Sequence, residues 1–172
     1  MTKEGSLRLI VLLAALIQGG ALAAAADNPY TPLWLYQGTW RVTRANSAPG
    51  AKPDELVNQC ALLGTYFTCG QSVNGKPSEL LIFTPAEQPG HFYTQAVNPD
   101  GRATGRGNLE VSGDHWTFTT MWDQGGQTTY YRTVNVFTGK DKIHFEQAES
   151  ANRKDFKITG SGDEVRVTRA RR

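Results

Sequence analysis

Three histidines are the side chains of this sequence best suited to hold a metal, because imidazole nitrogen is a common metal ligand. They are His91, His115 and His144, and each lies at or near the start of a different candidate strand. Nothing in their spacing indicates that they converge, and two cysteines are too few to complete a zinc site. The sequence therefore favours exposed imidazoles and no metal. A haem bound through one histidine, with His144 as the first candidate, is the alternative.

A second group of residues has the types needed for acid–base catalysis, which requires an imidazole or carboxyl held by a partner. His144 and Glu146 share one side of a candidate strand, and Arg132 is a candidate neighbour. Such a cluster is more common on an outward, ion-paired strand face than in a cavity. No nucleophile elbow, phosphate loop or dinucleotide-binding pattern is present, and the glycine-rich stretch 101–107 precedes no helix. We expect neither catalysis nor a cofactor, with an enzyme built on these three residues as the alternative.

Residues 1–26 have the three parts of a secretory signal peptide. Lys3 and Arg8 give a positive start, residues 9–17 form an unbroken apolar run, and residues 21–26 are small. The apolar run is shorter than the roughly 20 residues that span a bilayer. We therefore predict cleavage after Ala26, with neighbouring alanines as alternatives, and a mature chain 27–172 that is periplasmic or secreted and has no transmembrane segment.

The two cysteines form a predicted disulfide, since exported proteins meet an oxidising environment. If Gly64-Thr65 is a two-residue type II′ turn, which favours glycine first, Cys60 lies directly opposite Cys69. That position is a non-hydrogen-bonded pair, where Cα atoms are about 4.5 Å apart, just within disulfide range. A redox thiol pair is the alternative, but the spacing is not Cys-x-x-Cys and no histidine is near.

The elements that must position these side chains are short strands separated by glycine, asparagine and aspartate turns. One helical turn is predicted at residues 31–36, with Thr31 as its cap and Pro32 at its first position. A meander of about ten antiparallel strands without long crossovers favours one all-β domain closed into a barrel, and a two-sheet sandwich is the alternative. The candidate strands are 38–46, 55–63, 66–73, 78–84, 91–97, 104–111, 115–122, 128–137, 142–149, 155–159 and 164–169.

The segment Gly38-Thr39-Trp40 resembles the Gly-x-Trp opening of lipocalins and their calycin relatives. In those proteins a short turn precedes the first strand, and the tryptophan packs at the closed barrel end against an arginine of the last strand. The resemblance implies that Arg166 or Arg169 has this role here.

A fuller resemblance is to an exported bacterial family of unknown function with a lipocalin-like barrel, domain of unknown function 1579. It is carried by the Gly-x-Trp start, the cysteine hairpin followed by Gly75, the aromatic strand 91–94 and the segment 113–118. The likeness covers roughly residues 33–169. It implies a fold more than a function.

The function predicted from these features is binding of a small, largely apolar molecule by a monomeric barrel without catalysis. A structural or interaction module of the envelope, acting through its loops or C-terminal arginines, is the alternative. With 18 Lys and Arg against 16 Asp and Glu, the chain has no broad positive field, so no nucleic-acid partner is expected. The residues predicted to line the interior are Trp40, Tyr93, Trp116, Phe118, Trp122 and Tyr131.

Overall fold

Ten antiparallel strands and one short 3-10 helix make up residues 28–167, which are the residues that the computed structural model describes. Every strand pairs with its neighbour along the chain, and β1 also pairs with β10, so the sheet closes into a barrel. This confirms the all-β barrel over the sandwich. The predicted signal peptide 1–26 and Arg169 lie outside the described residues. The elements are η1 Pro32–Tyr36, β1 Gly38–Arg44, β2 Asp54–Leu63, β3 Tyr66–Val73, β4 Lys76–Pro85, β5 His91–Val97, β6 Gly107–Ser112, β7 His115–Gln124, β8 Gln127–Thr138, β9 Lys142–Ser150 and β10 Lys157–Arg166.

The helix η1 begins at Pro32, whose missing N–H costs nothing in the first helical turn. Thr31 does not cap it, contrary to the prediction: this residue has helical dihedral angles, and its hydroxyl donates instead to the Asn28 carbonyl. No helix among residues 28–167 is long and apolar enough to cross a membrane.

The hairpin of β2 and β3 has the predicted register and disulfide. Gly64 has a φ of 61°, while Thr65 has no positive φ, as a type II′ turn requires. Cys60 lies opposite Cys69 with the Cα atoms 4.0 Å apart, and the two are bonded. Cys69 is buried in the hydrophobic core, so the disulfide lies on the inner side of the sheet.

Removing this disulfide should lower the free energy of unfolding. For the double variant Cys60→Ala with Cys69→Ala we expect a loss of about 2 kcal/mol, because the unfolded chain regains the entropy of an open ten-residue loop. Urea denaturation measures it, and the wild type under reducing conditions is the control that should match the variant. A wild type whose urea midpoint ignores the reductant would contradict the prediction.

The last strand differs from the prediction. Residues 155–159 and 164–169 were expected as two strands around a glycine turn, whereas Lys157–Arg166 is one strand with a register shift after Ile158. Gly162 is buried inside this strand. Only glycine fits at this position, because a Cβ there would clash with the Thr43 carbonyl oxygen and would lie 2.9 Å from the Phe145 ring. The glycine therefore marks a close approach within the sheet and not a turn.

The hydrophobic core fills one end of the barrel, beneath η1. Its aromatic rings pack in stacked, edge-on and tilted pairs, such as the tilted contact of Trp116 with Phe137, whose ring centroids are 4.5 Å apart. This end of the barrel is closed, and open volume remains only towards the other end. The most deeply buried members of the core are Leu33, Trp40, Phe67, Phe83, Phe92, Leu109, Trp116 and Ile143.

Candidate ligand-binding cavity

The closed end of the barrel is held by Arg166 from β10, stacked on Trp40 from β1. The guanidinium carbon lies 4.1 Å from the centroid of the Trp40 ring, and the two residues are register partners. Arg166 also donates to the carbonyls of Leu35, Gln37 and Lys140 at 2.5 to 3.0 Å. It thereby satisfies backbone groups around η1 that would otherwise lack partners.

Gly38, the glycine of the Gly-x-Trp motif, is explained by this contact. Its φ is 128°, and a Cβ at this position would lie 2.8 Å from a guanidinium nitrogen of Arg166. A larger residue would meet both backbone strain and a clash. Of the two arginines that the lipocalin resemblance suggested, Arg166 occupies the position against Trp40.

The floor of the interior is a buried polar pair beneath η1. The Asn135 amide donates to the Tyr36 hydroxyl over 2.5 Å, and both residues are buried. Burial raises the pKa of Tyr36 well above its usual range. Tyr36 therefore stays a neutral phenol, and this pair separates the hydrophobic core from the space above it.

Above this floor lies a cavity of about 510 Å³ that extends to the open end of the barrel. Its size suits a small organic molecule, since ligand pockets commonly measure roughly 300 to 1,000 Å³. The lining changes from Tyr36 and Asn135 at the floor to the exposed Arg44 near the mouth. The cavity is therefore a one-ended cup.

Three of the six aromatic residues predicted to line the interior do so. Phe118 and Trp122 from β7 and Tyr131 from β8 are half-buried and face the cavity. The alternation along β7 puts the first two on one side of the sheet, and the pairing of Thr120 with Tyr131 brings the third beside them. They form an aromatic wall.

The other three do not reach the cavity. Trp40 and Trp116 point inward as predicted, but they lie within the closed-end core. Tyr93 lies on the outer face, where its hydroxyl donates to Glu87 and Arg106 stacks on its ring at 4.5 Å. Its neighbours Phe92 and Thr94 take the inward positions of β5.

The cavity also has a polar wall that sequence reasoning missed. Asn58 on β2 is 1% exposed and accepts a hydrogen bond from the Gln71 side chain at 2.9 Å. Among the described residues, its own amide nitrogen has no hydrogen-bond partner. A buried donor without a partner costs about 1 to 3 kcal/mol, so this N–H is suited to a ligand acceptor.

Three carboxyl groups line the same cavity, two of them deep and one near the mouth. Burial raises the pKa of Glu164 on β10 to about 7, and the Arg44 cation only partly opposes this. Burial also raises the pKa of Glu79 on β4. Near the mouth, Arg44 forms an ion pair with Asp54 at 3.7 Å. The charged groups of the interior therefore lie on one side, among apolar residues such as Leu56 and Leu81, and the aromatic wall lies on the other.

The group considered for acid–base catalysis, His144, Glu146 and Arg132, lies on the outer surface, and His144 is also the haem candidate. The Nδ1 atom of His144 is 2.8 Å from Asp163, and its side chain is 52% exposed. Arg132 is also outside, stacked on Phe156 at 4.4 Å. Neither residue lines the cavity. The two side chains therefore belong to an outward, ion-paired strand face.

The three histidines do not form a metal site in the described part of the chain. His91 and His115 lie on strands other than that of His144, and the Nδ1 atom of His115 is 2.7 Å from the carboxylate of its neighbour Asp114. Within residues 28–167, no group of three or more His, Cys, Asp or Glu side chains is placed to hold a metal ion.

These features define a class of protein: a closed antiparallel barrel plugged at one end, with a cup-shaped cavity at the other. Among solved structures it is similar to Rv2717c from M. tuberculosis, at 17% identity and a TM-score of 0.51, covering 81% of this chain and 98% of that one. It is also similar to the S-type phycobiliprotein lyase CPES from Guillardia theta, at 11% identity and a TM-score of 0.52, covering 79% and 90%. At such identities the likeness shows the fold alone. No protein-family model and no curated protein matches the chain.

Proposed function

We propose that this protein binds one small amphipathic molecule inside the barrel and carries out no chemistry on it. The observation that carries the proposal is the open cavity of about 510 Å³ between an aromatic and a polar wall. The sequence predicted a largely apolar ligand. The buried Asn58 and the half-buried Glu79 and Glu164 favour instead an apolar body that also has polar groups.

The alternatives are less well supported. An envelope module with a solidly packed barrel would have side chains in the interior, where this barrel has a cavity of about 510 Å³. A haem protein or enzyme using His144, Glu146 and Arg132 would need these side chains in the cavity, yet they lie outside it. Both remain alternatives for which we find no supporting contact.

We further propose that the protein acts in the periplasm or is secreted. The signal-like residues 1–26 support this, as does the disulfide between Cys60 and Cys69, which is typical of oxidising compartments. Membership in the bacterial family of unknown function is likewise our proposal, supported by the Gly38 motif and the cysteine hairpin. The mass of the protein recovered from the exported fraction tests the cleavage site.

A bulkier side chain in the cavity should weaken binding. Thr133 on β8 lines the cavity, so Thr133→Phe should weaken binding of the fluorescent apolar amine N-phenyl-1-naphthylamine by at least about tenfold. Thr43 is exposed on β1, and Thr43→Phe is the matched control that should bind as the wild type does. Fluorescence titration measures both.

The result that would sink the proposal is equal binding by the wild type, Thr133→Phe and Thr43→Phe, which would put the probe on the surface. Native mass spectrometry of the protein as isolated gives an independent check. A bound mass that disappears on denaturation is expected for the wild type and not for Thr133→Phe.

A further inference from the structure

The charged groups of the cavity are mainly acidic. Glu79, Glu164 and Asp54 supply three carboxyl groups, whereas Arg44 is the one cationic side chain in the lining formed by the described residues. Arg44 already pairs with Asp54, and its side chain is 46% exposed at the mouth. The two deeper carboxyl groups are therefore left without a cation of their own.

Glu164 in particular faces surroundings that do not neutralise it. Its register partners are Val42 on β1 and Ile143 on β9, both apolar. The groups that influence it are the Arg44 cation, two residues beyond Val42 on the neighbouring strand β1, and the neutral Tyr36 phenol at the floor. Burial without a close partner disfavours the Glu164 carboxylate. A cationic group of a ligand would therefore be stabilised by pairing with it.

A second, independent feature points to a ligand in the same space. The Asn58 amide nitrogen is buried, lines the cavity and has no acceptor among residues 28–167. A ligand carbonyl or sulfonyl oxygen would satisfy it. The aromatic wall of Phe118, Trp122 and Tyr131 completes the site, because such rings hold both an apolar body and an adjacent cation.

We propose that the ligand is an organic cation: a protonated amine on an apolar or aromatic body, with one hydrogen-bond acceptor. The amine pairs with Glu164 or Glu79, the acceptor takes the Asn58 N–H, and the body lies on the aromatic wall. This inference rests on the proposed binding function. It also excludes anionic amphiphiles such as fatty acids as preferred ligands, since a carboxylate would meet uncompensated acidic groups.

Three dansyl probes of matched size test the charge preference. Monodansylcadaverine carries an amine, dansyl pentylamide is neutral, and dansyl aminohexanoate carries a carboxylate, while all three offer the same sulfonyl acceptor. At about pH 8, where Glu164 is mostly ionised, we expect the cation to bind at least about tenfold more tightly than the anion, with the neutral probe between them.

Variants locate the preference in the cavity. Glu164→Gln should reduce the cation-to-anion ratio by at least about threefold, whereas Glu146→Gln, on the exposed outer face of β9, should leave it unchanged. Asn58→Leu should weaken all three probes without changing their order. If that variant does not fold by circular dichroism, competition in the wild type between monodansylcadaverine and a naphthylpentylamine without the sulfonyl decides the same point.

The outcomes separate the two proposals. Equal affinities, or a tighter anion, overturn the organic-cation inference while the binding function stands, provided that Thr133→Phe still blocks the probes. Failure of all three probes to bind the wild type overturns both. The expected order in the wild type, with a cation-to-anion ratio that falls in Glu164→Gln and not in Glu146→Gln, supports both.

Discussion

Replacing Trp40 by alanine should destabilise the barrel by about 3 to 5 kcal/mol, the largest effect that we expect from any single substitution. Trp40 is 0% exposed, and its indole donates to the Tyr36 carbonyl at 3.0 Å. Its removal leaves a large cavity and deprives the Arg166 guanidinium of the ring on which it stacks. The free energy of unfolding in urea measures the effect.

Trp34 provides the matched control for this prediction. It lies in η1, near Trp40 in sequence, but is 42% exposed and contacts Phe67 only edge-on. Trp34→Ala should therefore cost about 1 kcal/mol. If the two alanine variants lost equal stability, the closed end would not depend on the buried tryptophan.

Local signals made part of the fold predictable. The Cys60–Cys69 hairpin followed from a two-residue turn and the strand period of two, which together fix a register. Closure followed from strand number, because an open sheet of ten strands would leave exposed edges. By contrast, the glycines at 160 and 162 were misinterpreted as a turn, since a glycine at a register shift, such as Gly160, or one that permits close ring packing, such as Gly162, has the same sequence signal.

The position of an aromatic residue along the barrel axis was not predictable from strand alternation. Alternation correctly put Trp116, Phe118 and Trp122 on one face, yet Trp116 lies in the core and Trp122 in the cavity. In β5 the adjacent Phe92 and Tyr93 gave no way to choose the inward residue. In the structure Phe92 pairs with the buried Leu109 of β6, whereas Tyr93 pairs with Asn108 on the outer face.

The polar wall was not predicted, because strand alternation assigns polar residues to the outer face and cannot identify a polar residue that points inward. At the end of β10, Val165 and the following Val167 alternate with Glu164 and Arg166, which favours the valines as the inner face. The structure has the reverse: Val165 is 42% exposed, and Glu164 lines the cavity. The sequence did offer one signal. If Arg166 points inward to contact Trp40, as the lipocalin resemblance implies, then Glu164, two residues before it, must point inward as well.

Raising the pH from about 5 to about 8.5 should lower the stability of the ligand-free wild type by about 2.5 kcal/mol through Glu164. Burial raises the pKa of this carboxyl to about 7 in the folded protein, from the ordinary value of 4.5 that we expect in the unfolded chain. Below the lower value both states are protonated and nothing is lost. As the pH rises through the folded value, folding requires a buried carboxylate, so the stabilising contribution disappears.

Glu164→Gln should remove most of this pH dependence, because the amide resembles the protonated carboxyl at every pH. At about pH 8.5 the variant should then be more stable than the wild type, which is unusual for a substitution in a barrel interior. Glu79, whose pKa is also raised by burial, contributes a remaining slope of the same sign. Exposed Glu87, Asp100 and Asp114 have lowered pKa values and titrate below this window. Urea denaturation at both pH values, with Glu146→Gln as the control, decides it: parallel curves for wild type and Glu164→Gln would show that Glu164 is hydrated and that the cavity does not hold an uncompensated charge.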